Sequence, residues 1–160
     1  MNKITILGLG NPLLKDDGIG PYIIKVLQQN GLPEGINAVS VGGCFYDYWD
    51  ILTGSEKIIV VDALQGGGPP GTVYLLKAGD LALEQETGFF RHEDDFFSAL
   101  EFLKMYNISP QVTIVGVEPR EISYSLELSP EIMERIPDLV ELILSLCQDS
   151  KLHNRLESTN

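Results

Sequence analysis

Apolar residues in this chain of 160 fall into two kinds of pattern: short unbroken runs, and longer stretches spaced three and four apart. The first run, over residues 3–9, reads as a buried strand that Gly8 and Gly10 close in a tight turn. An amphipathic stretch over 18–29 predicts a helix, with Pro21 in its first turn and Gly31 just past its end. A second strand is predicted over 37–41, and helical spacing follows over 46–52 with Gly54 as its stop. A third strand is predicted over 57–61, where the apolar run 58–61 is flanked by Lys57 and Asp62, the pattern of a strand buried on both faces.

The second half repeats the alternation. Residues 65–71 hold four glycines and two prolines and predict a loop, and 72–77 alternate as a short strand. Residues 79–91 show no clean period. A helix is predicted over 94–106 and a buried strand over 111–117. A last helix starts with Ser129 as N-cap and Pro130 as first residue and reaches about Cys147, with Pro137 expected to kink or interrupt it. Strands alternating with helices predict an α/β fold: one three-layer domain over 1–148, a mostly parallel twisted sheet with helices on both faces. The polar tail 149–160 is expected to fray.

Charge and composition narrow the function. A formal net charge of −12 argues against nucleic acid, which needs a cationic surface. No apolar run approaches the roughly 18 residues that cross a bilayer, so no membrane span is expected. Two cysteines, Cys44 and Cys147, make no disulfide framework, and no leader is read ahead of the first strand. The expected setting is the cytoplasm.

The candidate chemistry lies where the predicted strands end. In an open α/β sheet the crevice beyond the carboxyl ends of the strands is the usual place for ligands. Asp16 and Asp17 follow strand one, and Asp62 ends strand three. His92 precedes the next long helix. Asp17, Asp62 and His92 would give two oxygens and an imidazole with open positions, a set suited to nickel, zinc, iron or manganese. Neutral imidazole is the binding form, so affinity should fall below about pH 6.5. By spacing alone Asp16 reads as a helix cap, and Asp17 fits either a cap or a ligand. Glu93, Asp94 and Asp95 read as caps of the following helix, His153 as exposed, Cys147 as packing, and Cys44 as a buried thiol or a groove residue. The glycines do not make a dinucleotide fingerprint, because Leu13 stands where its third glycine belongs.

Taken together, GLGNPLLKDDGIG over 8–20, VVDA over 60–63, His92, GVEP over 116–119 and LSPE over 128–131 resemble the hydrogenase maturation endopeptidases. The resemblance spans about residues 4–146. It implies a protease that removes the C-terminal extension of a nickel–iron hydrogenase large-subunit precursor once nickel is inserted. The cut falls after a basic residue. It also implies that Asp17, Asp62 and His92 meet the metal, which the precursor carries. Two features depart from the family pattern: Cys44 after the glycine pair, and the acidic run after His92. A non-catalytic nickel-sensing chaperone of the immature large subunit would use the same three ligands. The GLGNP opening also resembles peptidyl-tRNA hydrolase, but the histidine that family places next is missing here.

Overall fold

The computed structural model describes residues 3–42, 45–77 and 93–148. Strand β1 (Ile4–Gly8) leads through a 3-10 turn (Lys15–Gly18) into helix α1 (Ile19–Asn30). Strand β2 (Ile36–Ser40) is followed by a second 3-10 turn (Phe45–Tyr48) and the short helix α2 (Trp49–Thr53). Then come β3 (Lys57–Ala63), β4 (Val73–Lys77), α3 (Glu93–Met105), β5 (Gln111–Val117) and α4 (Pro130–Gln148). The predicted segment 79–91, the tail 149–160, and Cys44, His92 and His153 lie outside the described residues.

The five strands stand in the order β2-β1-β3-β5-β4. Four run parallel, and β4 pairs antiparallel with β5 at one edge. Side chains alternate across the sheet, so each central strand feeds two cores. Ile59 and Val61 of β3 pack with Ile23, Leu27, Ile132 and Leu139 from α1 and α4. Ile58 and Val60 pack on the other face with Leu52, Phe96 and Leu103, from α2 and α3. All seven residues of β3 are buried. The predicted three-layer α/β architecture is therefore the observed one. Among the described residues no helix is long and apolar enough to cross a membrane.

Three boundaries differ in an instructive way. Strand β3 continues two residues past the predicted end, because Asp62 and Ala63 stay in register with Gly116 and Val117 of β5. The long helix α4 runs on through Pro137 instead of breaking. Pro137 sits on the exposed side, and buried Ile136 and Leu139 anchor the turns on either side of it. Packing on both flanks outweighs the single backbone bond that proline forfeits. Helix α1 has no side-chain cap at all.

The strand ends are crowded against α1. A β-carbon on Gly20 would lie 2.1 Å from the Leu9 carbonyl oxygen and 2.6 Å from that of Val61. Neither backbone group has room to move. At the opposite end of β3, buried Lys57 donates to the Leu146 carbonyl near the C-terminus of α4, where the helix dipole favours a cation. Burial there also pushes the nearby Cys147 thiol up to about 11, against the opposing pull of Lys57.

Two predictions follow from this packing. Gly20→Ala should destabilise the fold by about 3 kcal/mol in urea unfolding, because the new methyl meets backbone rather than a movable side chain. At pH 8 the Cys147 thiolate fraction should be roughly 100-fold smaller folded than unfolded. Iodoacetamide labelling at Cys147, followed by peptide mass mapping, should slow to match, and equal rates would contradict the burial.

Candidate functional site

Two carboxylates from separate elements lie at the carboxyl rim of the sheet. Strands β1 and β3 are neighbours, with Gly8 level with Val61 and the Leu9 N–H donating to the Val61 carbonyl at 2.9 Å. Beyond Leu9 the chain reverses through Gly10, whose φ of +116° suits glycine alone. The Leu13 N–H donates to Asn11 Oδ1 at 2.9 Å, and the Leu14 N–H to the Asn11 carbonyl at 3.1 Å. This folded-back loop carries the 3-10 turn onto β3. A β-carbon on Gly10 would sit 1.9 Å from the Asp17 carbonyl oxygen and 3.6 Å from Asp62 Oδ1. Glycine is thus what lets the Asp17 backbone and the Asp62 carboxylate close on one point.

Both acids are 1% exposed. Asp17 Oδ2 accepts the Asn11 N–H at 2.9 Å, and Asp62 Oδ1 accepts the Ala63 N–H at 2.8 Å. Asp17 also lies just ahead of the N-terminus of α1, whose dipole favours negative charge. Burying a carboxylate costs several kcal/mol unless such partners offset it. Two on one rim, each held by the backbone, form an arrangement suited to a cation or a proton transfer rather than to packing.

Asp62 shares strand parity with Ile58 and Val60, and so belongs to the sheet face that α3 covers. Helix α3 begins at Glu93, directly after His92 in the chain. The acidic run Glu93, Asp94 and Asp95 thus falls in its first turn. Among the described residues no three His, Cys, Asp or Glu side chains gather as a metal set. Asp17 and Asp62 are the two predicted donors within them.

Asp16 is not a cap. It is buried, and its carboxylate is spent on the far side of the turn. Oδ2 accepts the N–H groups of Arg120 and Glu121, both at 2.9 Å, and the Ser129 hydroxyl at 2.7 Å. Oδ1 accepts the Ser129 N–H at 2.7 Å. The expected capping role fails because the turn points this side chain at the loop after β5, away from the orphan donors of α1. Four bonds to one carboxylate make it a tether between two loops. Lys15 adds a 3.0 Å ion pair to Glu121, and this hydrogen-bonded ammonium lowers the Glu121 carboxyl below its ordinary value.

Sequence reasoning also assigned no role to Glu118, although it stands in the GVEP motif. It follows β5 and is buried. Its Oε2 accepts the Gly66 N–H at 2.6 Å and the Tyr74 hydroxyl at 3.0 Å. The Tyr74 oxygen in turn accepts the Gly68 N–H at 3.1 Å. Burial and the adjoining carboxylate raise the Tyr74 phenol, while the Gly68 bond opposes them. The glycine-rich loop after Asp62 is therefore clasped to the ends of β4 and β5. An acid next to the end of a buried strand was the available signal.

Comparison with known proteins identifies the family. The family model described as hydrogenase maturation protease matches residues 21–146. The hydrogenase 2 maturation protease of Escherichia coli is 26% identical, over 92% of this chain and 92% of its own. The solved hydrogenase maturating endopeptidase HybD of E. coli superposes with a TM-score of 0.81 at 25% identity, covering 92% of this chain and 93% of that one. A hydrogenase 2 maturation peptidase from a Thaumarchaeota archaeon is 31% identical with a TM-score of 0.67, covering 91% and 98%. The chain belongs to the hydrogenase maturation protease family. Its enzyme class is accordingly that of the hydrogenase maturation endopeptidases.

The tether predicts a stability effect separate from any effect on chemistry. Asp16→Ala strands several buried donors and should cost about 3 kcal/mol or more in urea unfolding. Ser129→Ala removes one bond of the four and should cost about 1 kcal/mol. Equal small losses for both would mean the tether carries little.

Proposed function

We propose that this chain removes the C-terminal extension of a nickel–iron hydrogenase large-subunit precursor after nickel insertion, with Asp17, Asp62 and His92 meeting the precursor's nickel. The observation that carries the reading is the pair of buried, backbone-held carboxylates on one rim, contributed by two separate elements. Their chemistry fits a divalent ion, since carboxylate oxygen and imidazole nitrogen together suit nickel among other metals. Nickel borne by the substrate supplies a Lewis acid and an anchoring point.

The chain's own residues do the rest. The Asn11 and Ala63 N–H groups fix one oxygen of each carboxylate, so the pair is set before substrate arrives. A positioned carboxylate accepts the proton of the attacking water as the peptide bond opens. Holding the scissile bond beside that carboxylate supplies several kcal/mol of the barrier through proximity. Because the ligand set is small, cleavage waits for cofactor assembly in the precursor. The cytoplasm is the proposed setting, in keeping with the free thiol of Cys147.

Incubating the chain with nickel-loaded and nickel-free precursor, and comparing masses, tests the reading. Only the nickel-loaded form should shorten. Equal cleavage of both forms would remove nickel from the recognition step, and binding without any cleavage would favour a chaperone. Asp17→Asn and Asp62→Asn keep a hydrogen-bond acceptor for the backbone, so both should remain folded by circular dichroism. Processing should nevertheless fall about 100-fold or more. Wild-type rates in either variant would overturn its assignment.

A further inference from the structure

The outer side of the layer formed by α2 and α3 carries an aromatic cluster that the sheet does not bury. On their inner side these helices give Leu52, Phe96, Ala99 and Leu103 to the core. On the outer side Trp49 packs against Phe102, with ring centroids 5.2 Å apart, and against Tyr106 at 5.7 Å. Phe102 also meets Tyr46 edge-on at 5.7 Å and Tyr106 at 5.4 Å. Phe102, Met105 and Tyr106 stand three and four apart in the chain, so they share one side of α3 and the turn that ends it.

Much of this cluster faces water. Tyr46 is 54% exposed, Tyr106 59% and Met105 76%. Large apolar side chains this exposed, gathered from two segments, mark an interaction surface. Aromatic residues and methionine are also the types enriched where proteins meet. The rings brace one another through tilted and edge-to-face contacts. A surface ordered in this way loses little side-chain entropy when a partner binds.

Charge selects the partner. Residues 45–53 and 96–106 contain the acids Asp47, Asp50 and Glu101 and a single cation, Lys104, which pairs with Glu101 at 2.9 Å. Asp47 and Asp50 alternate with the aromatic residues Tyr46, Tyr48 and Trp49, are exposed, and enter no ion pair among the described residues. A second copy would bring the same carboxylates to the same face, in a chain whose net charge is already −12. Arginine satisfies both features at once. Its planar guanidinium stacks on tryptophan and tyrosine rings and pairs with a neighbouring carboxylate.

We infer that this face docks an arginine-bearing segment of the hydrogenase precursor, adding affinity without taking part in the cut. The identity of the partner rests on the proposed processing reaction, whereas the arginine follows from the face itself. Trp49 is the only tryptophan in the chain, so fluorotryptophan placed there gives one fluorine NMR signal that reads this face alone. Adding nickel-loaded precursor should shift or broaden that signal, and no change with precursor in excess overturns the inference. Asp47→Lys combined with Asp50→Lys, and separately Tyr106→Ala, alter exposed positions outside the carboxylate site. Each should raise KM roughly tenfold and leave kcat within twofold, since only uniform binding is lost. Unchanged KM in both overturns the docking face while leaving the processing reaction intact. Changing the exposed arginines of the precursor to glutamate one at a time should raise the wild-type KM at one position. The chain with Asp47→Lys and Asp50→Lys should recover most of its affinity for that altered precursor, and failure at every arginine overturns the assignment. Titration calorimetry with the same precursor reads docking even if the wild type cuts nothing. Equal affinity of the wild type and both variants, or no binding by the wild type, then overturns the inference. A wild-type dimer in sedimentation that Tyr106→Ala abolishes would assign the face to a second copy and also overturn it.

Discussion

The Asp16 carboxylate is the interaction on which the remainder of the site depends. It gathers Arg120, Glu121 and Ser129 onto the turn after β1, joining two loops that leave different strands. A buried anion is an expensive way to join loops, and it succeeds because four donors converge on its two oxygens. The tether fixes the next residue in the chain. Asp17 is placed by the same turn, so its position depends on its neighbour's bonds as well as its own.

The sheet contributes a second constraint. Strands β1 and β3 lie side by side, and the glycines between them let backbone approach backbone at the rim. On the other flank Glu118 and Tyr74 clasp the loop that follows Asp62. Each of the two described acids is thus bordered by a loop with its own internal anchor. Rigid supports of this kind hold a reactive pair in place better than mobile loops do.

Much of this was legible in the sequence because strand and helix periods are distinct. The apolar run at 58–61 identified the central strand, and the glycines at 8 and 10 located the turn after β1. Asp62 was legible as a rim residue, though pairing with Gly116 places it inside β3 rather than after it. The role of Asp16 was not legible. Two adjacent aspartates look alike in sequence, and only the handedness of the 3-10 turn sends one toward the sheet and the other toward the loop after β5. Glu118 was hidden for a similar reason, since its partners Gly66 and Tyr74 come from a different part of the chain. Pro137 does not interrupt α4, because packing holds the turns on both sides of it.

The strand order has a kinetic consequence. Ile4 pairs with Lys57, and Lys57 in turn with Gln111, so the middle of the sheet joins segments far apart in the chain. Non-local pairing of this kind folds slowly, because loop closure must precede its reward. During synthesis β1 and β3 emerge well before β5, leaving the far edge of β3 without its partner. That apolar edge is open to aggregation until Gln111–Val117 arrives. The strand that buries Asp62 is therefore also the one most in need of protection while the chain is being made.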